Sequence, residues 1–255
     1  MDPIVVSEYR PYLVAMSFIL AFVGSLLALT VTRHIRRKDG TLRLQATLTA
    51  GVALGGIGVW SMHFVGMVAL QLDVASSYGI LESAVSLLAA VLCTAAALAV
   101  VSKDPKKPLR ILSAGLLLGL GVATMHYLGM YGMKIGGYIK WDLGTVGVSI
   151  LIAIAAGTAA LWLAFNTRSV SSKVGASVLM AAAVCAMHYT GMGAAEFVCT
   201  TANRYATIQG TGLVNALGLG SVVAACAFAM ALLISLELYQ DWMHHSLTRK
   251  KKQTV

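Results

Sequence analysis

Apolar residues fill seven long runs of the chain, and polar or charged residues collect in the short stretches between them. A helix needs about 20 apolar residues to cross a hydrocarbon core roughly 30 Å thick, and each run has that length. The runs predict spans at residues 11–32, 43–70, 80–101, 109–133, 143–166, 174–197 and 212–238. No stretch alternates apolar and polar residues as the strands of a membrane β-barrel do. We therefore expect an all-α integral membrane bundle of seven helices.

A short phrase recurs near the end of each even-numbered span. Its pattern is Met-His-aromatic-x-Gly-Met, and it contains His63, His126 and His188 in turn. These histidines are 63 and 62 residues apart (126 − 63 and 188 − 126). A fixed period of this size marks repeated structural units. The sequence predicts three two-helix repeats plus a seventh helix, with helices 2, 4 and 6 inside and helices 1, 3 and 5 around them.

Small residues accompany the phrase in each repeat. Gly56, Gly119 and Ala181 stand seven positions before the three histidines, two helical turns away on the same face. The second and fourth spans also contain Gly-x-x-x-Gly, at residues 51–55 and 115–119. This spacing lets helix backbones approach closely in lipid. We expect these positions to be helix-packing contacts.

Composition and charge agree with a membrane protein and give it an orientation. The chain of 255 residues is 58% hydrophobic and only 11% charged, whereas a soluble domain carries about 25% charged residues. The net charge of +9 does not indicate nucleic-acid binding, because a basic excess in a membrane protein is usually the signal of its orientation. Fifteen Lys and Arg residues flank one side and four the other. The positive-inside rule then predicts an outer N-terminus, a cytoplasmic C-terminus and all three phrases toward the outer face.

The only ionisable side chains within the outer half of the spans are His63, His126 and His188. Burying an ionisable residue in a membrane is costly, so three at equivalent depth indicate a function. Residues four apart share a helix face, which places Met67, Met130 and Met192 beside the respective histidines. Imidazole with thioether in an apolar pocket suits copper, as Cu(I) or Cu(II), and three imidazoles also accept zinc. Core packing is the alternative role of the methionines.

Several secondary expectations concern the surroundings of this site. Glu196 and Asn215 border the third phrase and are candidates for hydrogen bonds to a ligating histidine. Tyr127 and Tyr189 are candidate anchors at the membrane interface. A histidine-lined transporter or channel and a b-type haem protein remain alternatives to a metal-binding sensor. A retinal protein is disfavoured because the seventh span has no lysine for a Schiff base.

The threefold phrase resembles the signature of the MHYT family, and Met187-His188-Tyr189-Thr190 reproduces that signature in full. The first copy departs from it at Phe64 and Val65, and the second at Leu128. The resemblance implies a sensor module of the bacterial inner membrane that binds copper near the outer face and senses a diatomic gas (O₂, NO or CO) or the redox state. It also implies cytoplasmic GGDEF and EAL output domains that make and degrade cyclic di-GMP, and hence a homodimer.

On this basis we divide the chain into a seven-span sensor domain at residues 1–243 and a basic cytoplasmic tail at residues 244–255 that leads to an output domain. No GGDEF or EAL segment is found in these 255 residues. We therefore expect no catalytic activity from this chain itself.

Overall fold

A computed structural model describes residues 5–37, 39–206, 208 and 210–253, with the backbone alone at residues 241–242 and 244–253. Seven helices are long and apolar enough to cross a membrane, as the sequence predicts, and they form an all-α bundle. The protein is thus a multi-pass membrane protein. The helices are α1 (Pro11–Val31), α2 (Leu44–Ala69), α3 (Ile80–Ser102), α4 (Pro108–Tyr131), α5 (Leu143–Asn166), α6 (Val170–Gly193) and α7 (Ala216–Gln253).

Three predicted boundaries, both ends of α6 and the start of α7, are wrong by four residues. Helix α6 spans residues 170–193 rather than 174–197, because Ser169 forms a capping box with Ser172 at its start. Helix α7 begins at residue 216 rather than 212, and the Asn215 side chain accepts a hydrogen bond from the Gly218 amide there. The α7 backbone continues without a break to Gln253, across the proposed division at residue 243. That division remains a prediction.

Short strands, which the sequence does not predict, extend each helical repeat. They are β1 (Ser7–Tyr9), β2 (Leu70–Leu72), β3 (Ser76–Gly79), β4 (Met133–Ile135), β5 (Gly137–Trp141), β6 (Ala195–Cys199) and β7 (Leu213–Asn215). The strand before each odd helix pairs antiparallel with the strand after the next even helix, giving β1–β2, β3–β4 and β5–β6. The repeat is therefore a strand–helix–helix–strand unit, and all three strand pairs lie at the end of the bundle where the histidine phrases stand.

Helices α1 to α6 form a closed ring in which each contacts its two neighbours, and α6 returns to α1. The small residues lie at these contacts. A side chain at Gly55 would meet the Ala90 carbonyl of α3, and one at Gly119 would meet the Ile154 backbone of α5, each at 2.5 Å. Ala181 packs with Ala21 of α1. The expectation that the small positions are helix-packing contacts is confirmed.

The predicted division into inner and outer helices holds for α2 but is wrong for α6. In the most apolar stretch of α2, 89% of residues are buried, because α7 covers the outer side of this helix. The corresponding share is 33% in α6, less than the 39% in α1 and α3. The three phrase-bearing helices are alternate members of one ring that turn their histidines toward its axis.

Helix α2 contains a π-helical segment at residues Val52–Ser61, directly before the first histidine phrase. Its wider turn bonds each amide to the carbonyl five residues back, and such segments are rare. Nine of its ten residues are buried, and Ser61 donates a hydrogen bond from its side chain to the Gly56 carbonyl. The other two phrase-bearing helices, α4 and α6, are α-helical throughout.

Candidate metal centre

The three phrase histidines meet on the axis of the ring, as their equal spacing predicts. The Nδ1 atoms of His63 and His188 are 3.1 Å apart, those of His126 and His63 3.2 Å, and those of His188 and His126 3.3 Å. Each imidazole is at most 1% exposed. Three ring nitrogens, one from each repeat, therefore form a nearly equilateral triangle inside the protein.

Hydrogen bonding cannot satisfy this triangle. A neutral imidazole carries a hydrogen on one nitrogen and a lone pair on the other, so one Nδ1 cannot both donate and accept in the ring plane. Three such atoms facing one another therefore cannot close a cycle of three hydrogen bonds. A cation accepts all three lone pairs at once, because atoms 3.1–3.3 Å apart can all lie about 2.0–2.1 Å from one ion. The three buried histidines are positioned to hold a metal ion.

Each imidazole lies against the glycine of the next repeat. A Cβ atom at Gly129 would stand 2.3 Å from Nε2 of His63, and one at Gly66 would stand 2.3 Å from Nε2 of His188. At Gly191 the distance to Nε2 of His126 would be 2.5 Å. Real Cβ atoms essentially never come this close to another atom. The glycine of the phrase is therefore required because a neighbouring imidazole fills the space of its side chain.

The aromatic residue of each phrase packs edge-on against its own histidine. Ring centroids are 4.8 Å apart for His63–Phe64 and His126–Tyr127, and 4.7 Å apart for His188–Tyr189. These contacts fix the plane of each imidazole from one side, while the glycine contact limits it from the other.

Buried serines hold the aromatic side chains. The Tyr127 hydroxyl bonds Ser149 of α5, and the Tyr189 hydroxyl bonds Ser17 of α1. Phe64 has no hydroxyl, and Ser86 of α3 instead accepts a hydrogen bond from the Trp60 indole, whose ring packs on Phe64. Both tyrosine hydroxyls thus form hydrogen bonds within the bundle, and an anchoring role of these residues at the membrane interface stays a prediction.

These serines are not predicted from the sequence alone. Ser17, Ser86 and Ser149 are all fully buried, and each stands six residues after the first residue of an odd helix. This repeated offset is visible in the sequence once the helix starts are known. It would have identified a second threefold set of residues beside the histidines.

The predicted hydrogen bonds from Glu196 and Asn215 to the histidines are wrong. Glu196 lies on β6 and forms an ion pair with Lys140 of β5, at 3.0 Å. The Asn215 side chain accepts from the Gly218 amide at the start of α7. Within the part of the chain that the structure describes, Nε2 of each of the three histidines has no hydrogen-bond partner. The glycine contacts, rather than polar partners, orient the imidazoles.

Met67, Met130 and Met192 are all buried in the main apolar core, with at most 3% exposure. Each follows its histidine by four residues, so it lies on the same helix face, one turn closer to the strands. Their location is equally consistent with ligation and with packing. Ligation by these thioethers remains a prediction.

The strand layer closes the bundle above the third phrase. Tyr9 of β1 packs edge-on against Tyr189, with ring centroids 5.5 Å apart. Burial, together with the neighbouring Tyr189, raises the pKa of Tyr9 to about 12. Tyr9 therefore stays neutral at physiological pH and adds no charge near the histidines.

Comparisons with known proteins agree with the repeat. The family model MHYT, described as a bacterial signalling protein N-terminal repeat, matches residues 56–114 and 119–177. Each matched stretch begins seven residues before a phrase histidine (63 − 7 and 126 − 7), runs through the following odd helix and ends in the first turns of the next even helix. The third phrase lies beyond both stretches.

Curated relatives are signalling proteins much longer than this chain. The bifunctional diguanylate cyclase/cyclic di-GMP phosphodiesterase MucR of Pseudomonas aeruginosa is 35% identical over 98% of this chain and 38% of its own length. The cyclic di-GMP phosphodiesterase NbdA of the same organism is 33% identical over 73% of the chain and 24% of its length. Signaling protein YkoW of Bacillus subtilis is 31% identical over 74% and 24%.

The chain thus spans well under half of these relatives. The matched part is the membrane repeat region, so the activities in the names of MucR and NbdA belong to the remainder of those proteins. No solved structure matches the chain. The two repeat matches and the similarity to MucR along almost the whole chain show that it belongs to the MHYT family of bacterial signalling proteins.

Proposed function

We propose that this chain is a sensor module of the bacterial inner membrane that binds one metal ion, copper, near the periplasmic face through His63, His126 and His188. The ion would report a diatomic gas (O₂, NO or CO) or the redox state to cytoplasmic output domains that turn over cyclic di-GMP. The single observation that carries this proposal is the triangle of three buried Nδ1 atoms, 3.1–3.3 Å apart.

Copper fits the donor set better than zinc does. Three imidazoles alone suit both metals, but the buried thioethers of Met67, Met130 and Met192 lie on the same helix faces. Thioether ligands are typical of Cu(I) sites. Zinc sites use thiolate, imidazole and carboxylate ligands instead. A bound copper ion would supply a coordination position for a small molecule and a reversible change of charge. The protein supplies a dry cage that fixes three ligands and excludes bulk water.

The geometry argues against the two alternative functions. Nitrogen atoms 3.1–3.3 Å apart leave no room for a haem between any two of the histidines. A transporter would need broken helices or a polar route at the site. Helices α4 and α6 instead continue unbroken past it, and the glycine and aromatic contacts fill the space around the imidazoles.

Helix α7 is the natural carrier of a signal to the cytoplasm. It packs on α2, the helix that carries His63, and Glu237 near the end of its apolar stretch accepts hydrogen bonds from Gln45 and Thr49 of α2. Its most apolar stretch is the least buried of the seven, at 22%, which supports a homodimer with α7 at the interface. A ligand that binds two packings of α2 with different affinity would shift α7 with them.

We expect a gas-dependent output in a chain that carries GGDEF and EAL domains after residue 255. Cyclic di-GMP turnover in membrane vesicles should change when oxygen or nitric oxide is supplied, and the His188→Ala form should stay at one level in both conditions. The His34→Ala form, altered in the short turn after α1, serves as the control and should respond. A normal gas response in His188→Ala would show that this bundle is not the sensor. A monomer in detergent at working concentrations would contradict the dimer.

The proposed orientation has its own test. Ala202 and Lys106 are exposed at opposite ends of the bundle. In intact cells of a strain with an otherwise cysteine-free chain, a membrane-impermeant thiol reagent should label Ala202→Cys and spare Lys106→Cys. Both should react once the cells are opened. Labelling of Lys106→Cys alone in intact cells would place the histidines toward the cytoplasm.

A further inference from the structure

Three valines form a layer directly beneath the histidine triangle. Val59, Val122 and Val184 each precede a phrase histidine by four residues, so each shares its helix face, one turn closer to the helix start. The methionines at the fourth position after each histidine lie on the opposite side of the triangle. The histidines are therefore sandwiched between a thioether layer and a valine layer.

The three valines line a small cavity of about 30 Å³ together with eight other residues. Its eleven lining residues come from α2, α4, α5 and α6, and none has a polar side chain. Met187, the residue before His188, is among them, so the cavity borders the third phrase. A buried water needs two to four polar partners, and this cavity offers none from side chains. The cavity is therefore dry.

The size of the cavity limits its occupant. About 30 Å³ exceeds the roughly 10–15 Å³ that admits one water-sized molecule, and it is far below the ~150 Å³ of a cavity that holds benzene. A dry, apolar space of this size suits an uncharged molecule of two heavy atoms. Ions and polar metabolites are disfavoured, because desolvating them there has no compensating hydrogen bond.

We propose that this cavity, which Val59, Val122 and Val184 help to line, is the binding chamber of a diatomic gas, which reaches the metal from the face opposite the methionines. Delivery of the gas to a metal rests on the proposed function, whereas the presence of the cavity does not. The chamber belongs to the polypeptide and is expected with or without the ion. Two ligand classes thus meet the triangle from opposite sides.

Xenon tests the chamber independently of the metal, because it binds dry apolar cavities. In detergent-solubilised full chain, xenon NMR should show saturable binding in both metal-free and metal-loaded protein. Val184→Phe should abolish it by filling the space. Val178→Phe, on the same helix but 43% exposed, is the matched control and should retain it. Val122→Ala enlarges the cavity and should strengthen binding, which keeps the test informative if Val184→Phe does not fold.

A second readout separates the chamber from the metal proposal. In copper-loaded, reduced protein, carbon monoxide association followed by its infrared band should be slower in Val184→Phe than in Val178→Phe. Absence of saturable xenon binding in the wild type, or equal association rates in these two variants, would overturn the chamber. Xenon binding in a protein that takes up no metal would leave the chamber standing and refute the proposed function.

Discussion

Replacing His126 with alanine is expected to abolish stoichiometric metal binding. The wild type, purified without a metal-chelating resin, should contain one copper ion per chain by elemental analysis. Loss of a group that merely supports a ligand costs about 10–100-fold in metal affinity, so the loss of one of three ligands should cost more than about 100-fold. His63→Ala and His188→Ala should behave alike, because the triangle is nearly equilateral.

The appropriate control is His34→Ala, which removes an imidazole from the short turn after α1, away from the triangle. It should retain the metal in full. Leucine in place of Met67, Met130 or Met192 separates ligation from packing. The copper absorption-edge spectrum should change if the methionine is a ligand and should stay the same if it only packs. If elemental analysis finds zinc instead of copper, the proposed site stands and the identity of its metal changes. Unchanged metal content in all three histidine variants would end the metal hypothesis.

Alanine at Gly129 is expected to disrupt the site almost as strongly as the loss of a histidine. The added Cβ would lie 2.3 Å from Nε2 of His63 and 3.3 Å from the Phe64 ring, so the imidazole must leave its position. Overpacking of this kind typically destabilises a protein by about 1–3 kcal/mol. Thermal unfolding in detergent should therefore begin at a lower temperature, and copper content should fall.

Gly175→Ala provides the comparison, because it adds the same methyl group to α6 at a position where the new carbon would have no neighbour within 4 Å outside the adjacent turns of its own helix. It should keep both metal and stability, since alanine is the better helix former. The Gly191→Ala and Gly66→Ala variants should match Gly129→Ala, because each faces a different imidazole of the same triangle. Full copper content in Gly129→Ala would mean that the ion does not use His63 in the orientation seen here.

The sequence predicts the seven helices and the histidine triangle well because both depend on strong physical constraints. Lipid demands long apolar runs, and it penalises unpartnered ionisable side chains. Equal spacing then places His63, His126 and His188 at one level. The glycine of each phrase is also interpretable in advance, since a position next to a bulky side chain on another helix favours a residue without one.

Other features depend on contacts between repeats, which spacing along one helix does not reveal. The sequence of the phrase does not reveal whether Nδ1 or Nε2 faces the axis of the ring. The glycine of the neighbouring helix decides it, because Nε2 lies against that glycine. The low burial of α6 results from α7 packing mainly on α2 and leaving the outer side of α6 uncovered. Glu196 was expected beside the histidines, but the β5–β6 pairing carries it to Lys140. Strands of three to five residues are too short to show a periodic pattern.

The π-helical segment of α2 compensates for a difference in length between the first repeat and the other two. His63 is the 20th residue of its helix, whereas His126 and His188 are each the 19th residue of theirs, counted from residues 44, 108 and 170. In a regular α-helix one extra residue would rotate an imidazole by about 100° and raise it by about 1.5 Å, out of the triangle. The wider turns of Val52–Ser61 accommodate the surplus instead. The three histidines therefore stay at one level although the first of these helices has one more residue before its histidine, and the segment absorbs that difference between the start of α2 and His63.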